Sequence, residues 1–109
     1  MASKIRIGLV GCGVVGTGVL DILHEHAASI EERLGAPIEV LQIAVRNLER
    51  DRGPNVPKDR LTDQPLDVAR NPDVDIVVEL MGGVETAEDL VREALIQGKQ
   101  VVTANKALL

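Results

Sequence analysis

The chain of 109 residues is long enough for one domain with a buried core, but it contains no Phe, Trp or Tyr, so that core must be aliphatic. The formal net charge of −5 and the missing aromatic side chains argue against a nucleic-acid-binding surface and against stacking on a base. No apolar run approaches the roughly 20 residues that span a bilayer, and a single cysteine allows no internal disulfide. We therefore expect a cytoplasmic protein with no membrane and no nucleic-acid partner.

A glycine-rich turn between the first predicted strand, the apolar stretch at residues 5–10, and the first predicted helix is the most informative pattern. Gly11, Gly13 and Gly16 have the GxGxxG spacing of dinucleotide-binding turns, in which each glycine serves a position with no room for a side chain. The pyrophosphate of the dinucleotide would rest on the N-terminus of the helix that begins near Val14. A turn that only joins a strand to a helix is the alternative, and Cys12 is interpreted as a small residue rather than a reactive thiol.

The first helix is predicted from about residue 14 to residue 34, because apolar side chains recur there at helical spacing. These side chains are Val15, Val19, Ile22, Leu23, Ile30 and Leu34. Gly35 and Pro37 then end the helix. His24 and His26 are two residues apart and do not share a helical face, so we expect no metal site.

A second predicted strand, residues 38–45, is followed by Arg46 and not by the acidic residue that NAD-preferring folds use to hold the ribose 2′-hydroxyl. An arginine binds a 2′-phosphate, which a carboxylate would repel. We therefore expect NADP as the cofactor, with NAD possible; a solvated arginine at a strand end is the alternative. Arg50 and Arg52 are close enough in sequence to assist Arg46, although a run of charges is more often a solvated surface.

The rest of the chain predicts alternating strands and helices. In chain order these are a loop at residues 48–60, a short edge strand at 61–62, a short helix at 65–70, a strand at 75–80, a second long helix and a buried strand at 100–102. The long helix is predicted to begin at Thr86, in a capping box with Asp89, and to end at Gly98. Its predicted buried stripe consists of Ala87, Leu90, Val91, Ala94 and Leu95.

This alternation predicts an α/β fold: a Rossmann-like, doubly wound, mostly parallel sheet of about four to five strands, truncated at its C-terminal end. In such sheets ligands bind beyond the carboxyl ends of the strands. Gly82 and Gly83 follow the strand at residues 75–80, so they would face the same crevice as the first glycine turn. We expect this glycine pair to pass close to the ribose or nicotinamide of the cofactor.

Four sequence blocks resemble the amino-terminal cofactor domain of homoserine dehydrogenases. They are residues 8–18 (GLVGCGVVGTG), 44–47 (AVRN), 77–83 (VVELMGG) and 101–109 (VVTANKALL). The first block is shared by many Rossmann folds, whereas the last two, in this order and at this separation, are much more specific. The resemblance implies a reversible NAD(P)-dependent interconversion of L-homoserine and L-aspartate 4-semialdehyde, in the biosynthesis of threonine, methionine and isoleucine.

The resemblance also implies roles for individual residues. Val14 and Val15 would contact the dinucleotide, and Arg46 its 2′-phosphate. Thr103 would line the nicotinamide side, and Lys106 matches the family's lysine beside the nicotinamide and the reacting carbon. A cation there stabilises negative charge on a carbonyl oxygen or passes a proton. The alternative for Lys106 is an ordinary lysine in the first turn of a helix, where the helix dipole disfavours a positive charge.

Family enzymes continue into a substrate and dimerisation domain that residues 1–109 do not contain. We therefore expect these residues to be one NAD(P)-binding domain of a larger homo-oligomeric enzyme, which binds a small-molecule substrate only at full length. On their own they would bind NADP(H) weakly and catalyse nothing. The alternatives are the cofactor domain of another Rossmann amino-acid or aldehyde dehydrogenase, which the 82–83 and 105–106 pairs disfavour, and a non-catalytic nucleotide sensor whose cofactor state controls a partner.

Overall fold

Five strands form one sheet within the part of the chain that the structure describes. A computed structural model describes residues 4–11, 13–50, 52–81 and 85–103, with the backbone alone described at residues 14, 15, 85 and 86. The strands are β1 (Ile5–Val10), β2 (Ile38–Ala44), β3 (Leu61–Thr62), β4 (Ile76–Glu79) and β5 (Gln100–Thr103). The α-helices are α1 (Val14–Glu25), α2 (Ala27–Leu34), α3 (Pro65–Arg70) and α4 (Glu85–Ile96), and a single 3₁₀ turn covers Lys58–Arg60.

The strand order is β3-β2-β1-β4-β5, and each neighbouring pair is parallel. The order of the strands reverses between β1 and β4, which places helices on both faces of the sheet. The predicted Rossmann-like, doubly wound α/β fold is confirmed. A crevice is expected at this reversal, outside the carboxyl ends of β1 and β4.

Aliphatic side chains fill both faces of the sheet. On the face covered by α3 and α4, the buried residues are Val10, Ala44, Val68, Ala69, Val74, Val77, Leu90 and Ala94. On the face covered by α1, they are Leu9, Leu20, Ile43, Val45 and Val56. Successive strand residues such as Leu9 and Val10 fall on opposite faces, as the pleat requires.

Gly8, in β1, allows α3 to approach the sheet closely. A Cβ at this position would overlap Cγ1 of Val68, which is fully buried, and would lie 3.3 Å from Cγ1 of Val74. Val68 is β-branched and held in a helix, so it has little freedom to move aside. The contact brings α3 over β1, and the first residue of α3, Pro65, reaches the carboxyl edge of the sheet.

The single helix predicted for residues 14–34 is wrong, because α1 ends at Glu25 and α2 begins at Ala27. His26 separates them, with φ of −112°, although its N–H still donates to the carbonyl of Ile22 at 2.9 Å. The predicted stripe is also partly wrong: Ile22 is 56% exposed, whereas Leu20 is buried. Gly16 and Leu20 are four residues apart and both buried, so they define the helix face that meets the sheet.

The other predicted elements agree with the structure except at three places. The short strand β3, the short helix α3 and the helix ends at Gly35 and Gly98 are confirmed, with φ of +76° and +78° at the two glycines. However, α4 begins at Glu85, so Thr86 lies inside the first turn and not at the predicted cap. Leu95 is 59% exposed, because it lies at the edge of the α4 stripe. The predicted buried strand β5 instead ends the described sheet, which leaves Val102 56% exposed.

An ion pair links α3 to α4, the two helices on one face. Arg70 Nε lies 3.1 Å from Glu93 Oε1, and this hydrogen bond, together with one from Gln97, holds the pKa of the Glu93 carboxyl below its usual range. No helix in the described ranges is long and apolar enough to cross a bilayer, and no group of His, Cys, Asp and Glu side chains in those ranges could hold a metal ion.

Candidate functional site

A cleft of about 480 Å³ opens at the carboxyl edge of the sheet. It is lined by Val10, Gly11, Gly13, Ala44, Val45, Arg46, Arg50, Arg52, Asp63, Pro65 and Met81. These residues come from the ends of β1 and β2 and from the segments that follow β1, β2, β3 and β4. The cleft therefore lies where open α/β sheets bind their ligands, and it joins the predicted glycine turn to the predicted arginines.

Position 11 requires glycine for two reasons, its backbone conformation and the atoms around it. Its φ is +97°, which side-chain-bearing residues rarely adopt, and a Cβ would lie 3.1 Å from the carbonyl carbon of Leu80. The Gly11 N–H donates to the carbonyl of Ala44 at 2.9 Å, and the Leu80 N–H donates to that of Val10 at the same distance. The turn after β1 is thus held between the ends of β2 and β4, and the space for a side chain at Gly11 is taken by backbone.

Gly13 is open to the cleft, in contrast to Gly11. It is the N-cap of α1, and a Cβ added there would meet no atom of the described residues within 4 Å. Among the described residues no side chain caps this end of α1, so the amides of its first turn face the region in front of Gly13. Gly16 is buried one turn later, and Val14 and Val15 begin the helix. The arrangement presents backbone donors and the positive end of the helix dipole to an anion.

Three arginines give the β2 side of the cleft a positive charge. Arg46 lies two residues after β2, and Arg46 and Arg50 are exposed, whereas Arg52 is half-buried. No ion pair joins Arg46 or Arg50 to any other residue in the described ranges. Asp63, which follows β3, is the acidic residue of the lining. The excess of cations suits a ligand that carries phosphate groups.

A hydrogen bond between Glu79 and Thr103 connects the carboxyl ends of β4 and β5. The Thr103 hydroxyl donates to Glu79 Oε1 at 2.8 Å, and the two residues face each other in the sheet register. Glu79 is fully buried, and its Oε2 atom has no hydrogen-bond partner within the described residues. Sequence analysis gave Glu79 no role, although a carboxyl group among Val77, Val78 and Leu80 was the available signal.

Comparison with known proteins now identifies the domain. A family model described as homoserine dehydrogenase, NAD binding domain, matches residues 11–109. The chain belongs to the homoserine dehydrogenase family. It is similar to the homoserine dehydrogenase of Bacillus subtilis, with 42% identity over 98% of this chain and 25% of that protein. It is also similar to the homoserine dehydrogenase of Pseudomonas aeruginosa, with 45% identity over 98% of this chain and 24% of that protein. The chain therefore spans about a quarter of the length of these curated relatives.

Solved structures agree with the family match. A crystal structure of homoserine dehydrogenase from S. aureus at pH 8.5 superimposes with a TM-score of 0.92 and 38% identity, over 100% of this chain and 27% of that one. The homoserine dehydrogenase structure from Thiobacillus denitrificans gives a TM-score of 0.90 and 46% identity, over 98% of this chain and 25% of that one. The fold described above is thus the fold of this part of homoserine dehydrogenases.

Membership in the homoserine dehydrogenase family confirms two predictions from the sequence. One is the resemblance to this family, and the other is a nicotinamide dinucleotide as the class of cofactor. The alternative of a Rossmann dehydrogenase from another family is wrong. Of the predicted site residues, the structure brings Gly11, Gly13 and Arg46 to one cleft.

Three predicted site residues, Gly82, Gly83 and Lys106, lie outside the described residues, as does Cys12. Val14 and Val15 are described by their backbone alone, so their predicted contacts with the dinucleotide stay predictions. Several residues that line the cleft were not predicted as site residues, among them Asp63, Pro65 and Met81. The signal for each was its position just after a strand, at the edge where ligands bind.

Proposed function

We propose that this chain is one domain, residues 1–109, of a cytoplasmic homo-oligomeric enzyme that interconverts L-homoserine and L-aspartate 4-semialdehyde, with NADP(H) as the preferred cofactor and NAD(H) as the alternative. The observation that carries the proposal is the cleft at the carboxyl edge of the sheet, where the open glycine turn and three arginines lie together. The sheet belongs to a domain that matches the NAD-binding domain of homoserine dehydrogenases. Bound NADP(H) would supply the hydride chemistry. The residues of this chain bind and orient it.

The glycine turn would hold the pyrophosphate. Gly13 leaves room for the phosphates to approach the backbone, and Gly16 lets the first turn of α1 lie close to the sheet. Gly11 keeps the turn tight, and the amides at Val14 and Val15 lie in the first turn of α1, where backbone N–H groups are available to an anion. The phosphates would accept hydrogen bonds from backbone N–H groups of α1. A side-chain cap at Gly13 would compete for the same N–H groups.

Arg46 and Arg50 would hold the 2′-phosphate that distinguishes NADP from NAD. Both guanidinium groups are exposed at the cleft, and neither is paired with another described residue. A guanidinium binds a phosphate through two parallel hydrogen bonds, which adds geometric preference to the charge attraction. The same cations would gain little from the ribose hydroxyl of NAD, which supports a preference for NADP.

The nicotinamide would lie toward the ends of β4 and β5. Gly82 would allow its close approach, and Thr103 would line the nicotinamide side with its position held by the hydrogen bond to Glu79. We assign the catalytic role to Lys106, whose ammonium group would stabilise negative charge on the substrate's carbonyl oxygen or pass a proton. Substrate-binding residues would come from the part of the enzyme beyond residue 109.

Replacing Arg46 with aspartate tests the cofactor preference. In calorimetric titrations, R46D is expected to lower NADP affinity by roughly 10- to 100-fold, the value of a hydrogen bond between charged groups. NAD affinity is expected to change by less than about threefold, since the aspartate can accept a hydrogen bond from the ribose 2′-hydroxyl. Arg33→Asp, an equal change of charge at an exposed position of α2, is the control. Equal losses for NADP and NAD would remove Arg46 from the 2′-phosphate site.

The activity itself is tested with the protein expressed from its complete reading frame. Addition of L-homoserine and NADP is expected to produce NADPH, followed by absorbance, whereas residues 1–109 alone are expected to give no rate above a blank. Turnover by residues 1–109 alone would contradict the two-domain part of the proposal. A complete protein that binds NADP(H) but turns over neither L-homoserine nor L-aspartate 4-semialdehyde would instead be a nucleotide sensor.

A further inference from the structure

Arg52 makes the two hydrogen bonds that organise the arginine side of the cleft. Its Nη1 donates to the carbonyl of Arg50 at 2.9 Å, and its Nη2 donates to the carbonyl of Asn47 at 2.6 Å. Both acceptors are backbone atoms of the loop that follows β2 and carries Arg46 and Arg50. The Arg52 guanidinium therefore bridges two points of this loop, and a single planar fork spans them.

Further contacts of the same loop support this role. The Asn47 side chain accepts a hydrogen bond from the Glu49 N–H at 3.0 Å, so Asn47 is held both through its own carbonyl and through its side chain. Arg52 is half-buried, and its Nε atom is buried without a hydrogen-bond partner in the described part of the chain. By contrast, Arg46 and Arg50 are exposed. The three arginines thus divide into one that is engaged with the loop and two that are exposed at the cleft.

We propose that Arg52 is a positioning residue for cofactor selectivity: it holds the loop at residues 47–50 in the conformation that presents Arg46 and Arg50 to the 2′-phosphate. The inference rests on the proposed NADP preference. Its physical basis is preorganisation, because a loop that is already ordered loses less conformational entropy when it binds a ligand. The pyrophosphate cradle at Gly13 lies on the β1 side and does not depend on this loop, so the effect of Arg52 is confined to the phosphate that NAD lacks.

The experiment compares four variants of the protein expressed from its complete reading frame. They are Arg52→Met, Arg52→Lys, Arg46→Met and, as a matched control for lost charge, Arg33→Met on α2. Affinities for NADP and NAD are measured by calorimetry. Amide hydrogen exchange of the peptide that contains Glu49 and Arg50 is measured without nucleotide, since it reports local opening of the loop.

Arg52→Met is expected to accelerate amide exchange in this loop and to lower NADP affinity by roughly fivefold to tenfold, with NAD affinity unchanged. Arg52→Lys is expected to recover part of both effects, because an ammonium group donates to a carbonyl but lacks the planar fork. Arg46→Met is expected to lower NADP affinity with unchanged exchange, and Arg33→Met to change neither measurement.

Three outcomes would overturn the inference. Wild-type exchange in Arg52→Met combined with lost NADP affinity would make Arg52 a direct phosphate ligand. Equal losses for NADP and NAD would make its role a general structural one, and unchanged NADP affinity despite faster exchange would separate the loop from selectivity. If Arg46→Met leaves the NADP preference intact, the proposed cofactor preference is wrong, whereas the exchange data still decide whether Arg52 holds the loop.

Discussion

Gly11→Ala is expected to lower the free energy of unfolding by about 2–4 kcal/mol, the combined effect of backbone strain and of overpacking. The residue has a φ of +97°, and its new Cβ would lie 3.1 Å from the carbonyl carbon of Leu80 and 3.2 Å from the Met81 nitrogen. These are backbone atoms just after β4, an interior strand of the sheet, so they cannot move aside as a flexible side chain would. Urea denaturation followed by circular dichroism measures the change.

Gly13→Ala provides the matched control, since the same methyl group enters open space. Within the described part of the chain no atom lies within 4 Å of that Cβ, so the free energy of unfolding is expected to change by less than about 1 kcal/mol, the range for an N-cap glycine replaced by alanine. Dinucleotide affinity is expected to fall by at least about tenfold, because the methyl group takes space that the pyrophosphate needs and a displaced charged hydrogen bond is worth that much. A stable Gly11→Ala protein would contradict the strain argument, and unchanged binding by Gly13→Ala would contradict the location of the cradle.

Gly11 and Gly13 show which part of the candidate site the sequence predicts and which part it does not. Their spacing after an apolar strand predicts a dinucleotide turn, because that pattern is local and is set by a few consecutive residues. The same pattern does not distinguish a glycine that is required by neighbouring backbone from one that faces the ligand. That distinction depends on Leu80 and Met81, which are about 70 residues away in the chain and reach Gly11 only through the register of β4 with β1.

The strands were predicted well for a related reason. Short apolar runs bounded by glycine, proline and charged residues define β1, β2 and β4 within a few residues of their observed ends, and even the two-residue strand β3 was expected. The break at His26 was missed because the residues from His24 to Ala28 include no glycine or proline that would signal it. The exposure of Val102 was missed because the sequence of a strand does not say whether another strand lies beside it.

Side-chain interactions between distant segments were not predictable in the same way. Glu79 accepts the hydrogen bond from Thr103 across the β4–β5 register, and Arg52 turns back onto Asn47 inside an irregular loop. All four residues lie in the sequence blocks or the loop described from the sequence. Which of them form hydrogen bonds with each other depends on the three-dimensional path of the chain.

Lys99→Met is expected to lower the free energy of unfolding by about 2–4 kcal/mol, the value of losing hydrogen bonds from a charged donor to buried carbonyls. Lys99 is only 9% exposed, and its Nζ donates to the carbonyls of Asn71 at 2.6 Å and Val74 at 2.8 Å. The methionine retains most of the aliphatic stem, so the loss is confined to these bonds. The Asn71 carbonyl keeps the N–H of Val74 as a donor, which sets an upper bound on the effect.

The position of Lys99 makes this variant informative about the cleft as well. The lysine precedes β5 and joins it to the loop between α3 and β4, at the amino edge of the sheet, whereas the cleft lies at the carboxyl edge. NADP affinity of folded Lys99→Met is therefore expected to match that of the wild type. The control for stability is Lys58→Met, at an exposed residue of the 3₁₀ turn, which is expected to change the free energy of unfolding by no more than about 0.5 kcal/mol. A loss for Lys99→Met no larger than that of the control would mean that water satisfies the two carbonyls. A selective loss of NADP binding would mean that the two edges of the sheet are energetically coupled, because the substitution touches only the amino edge.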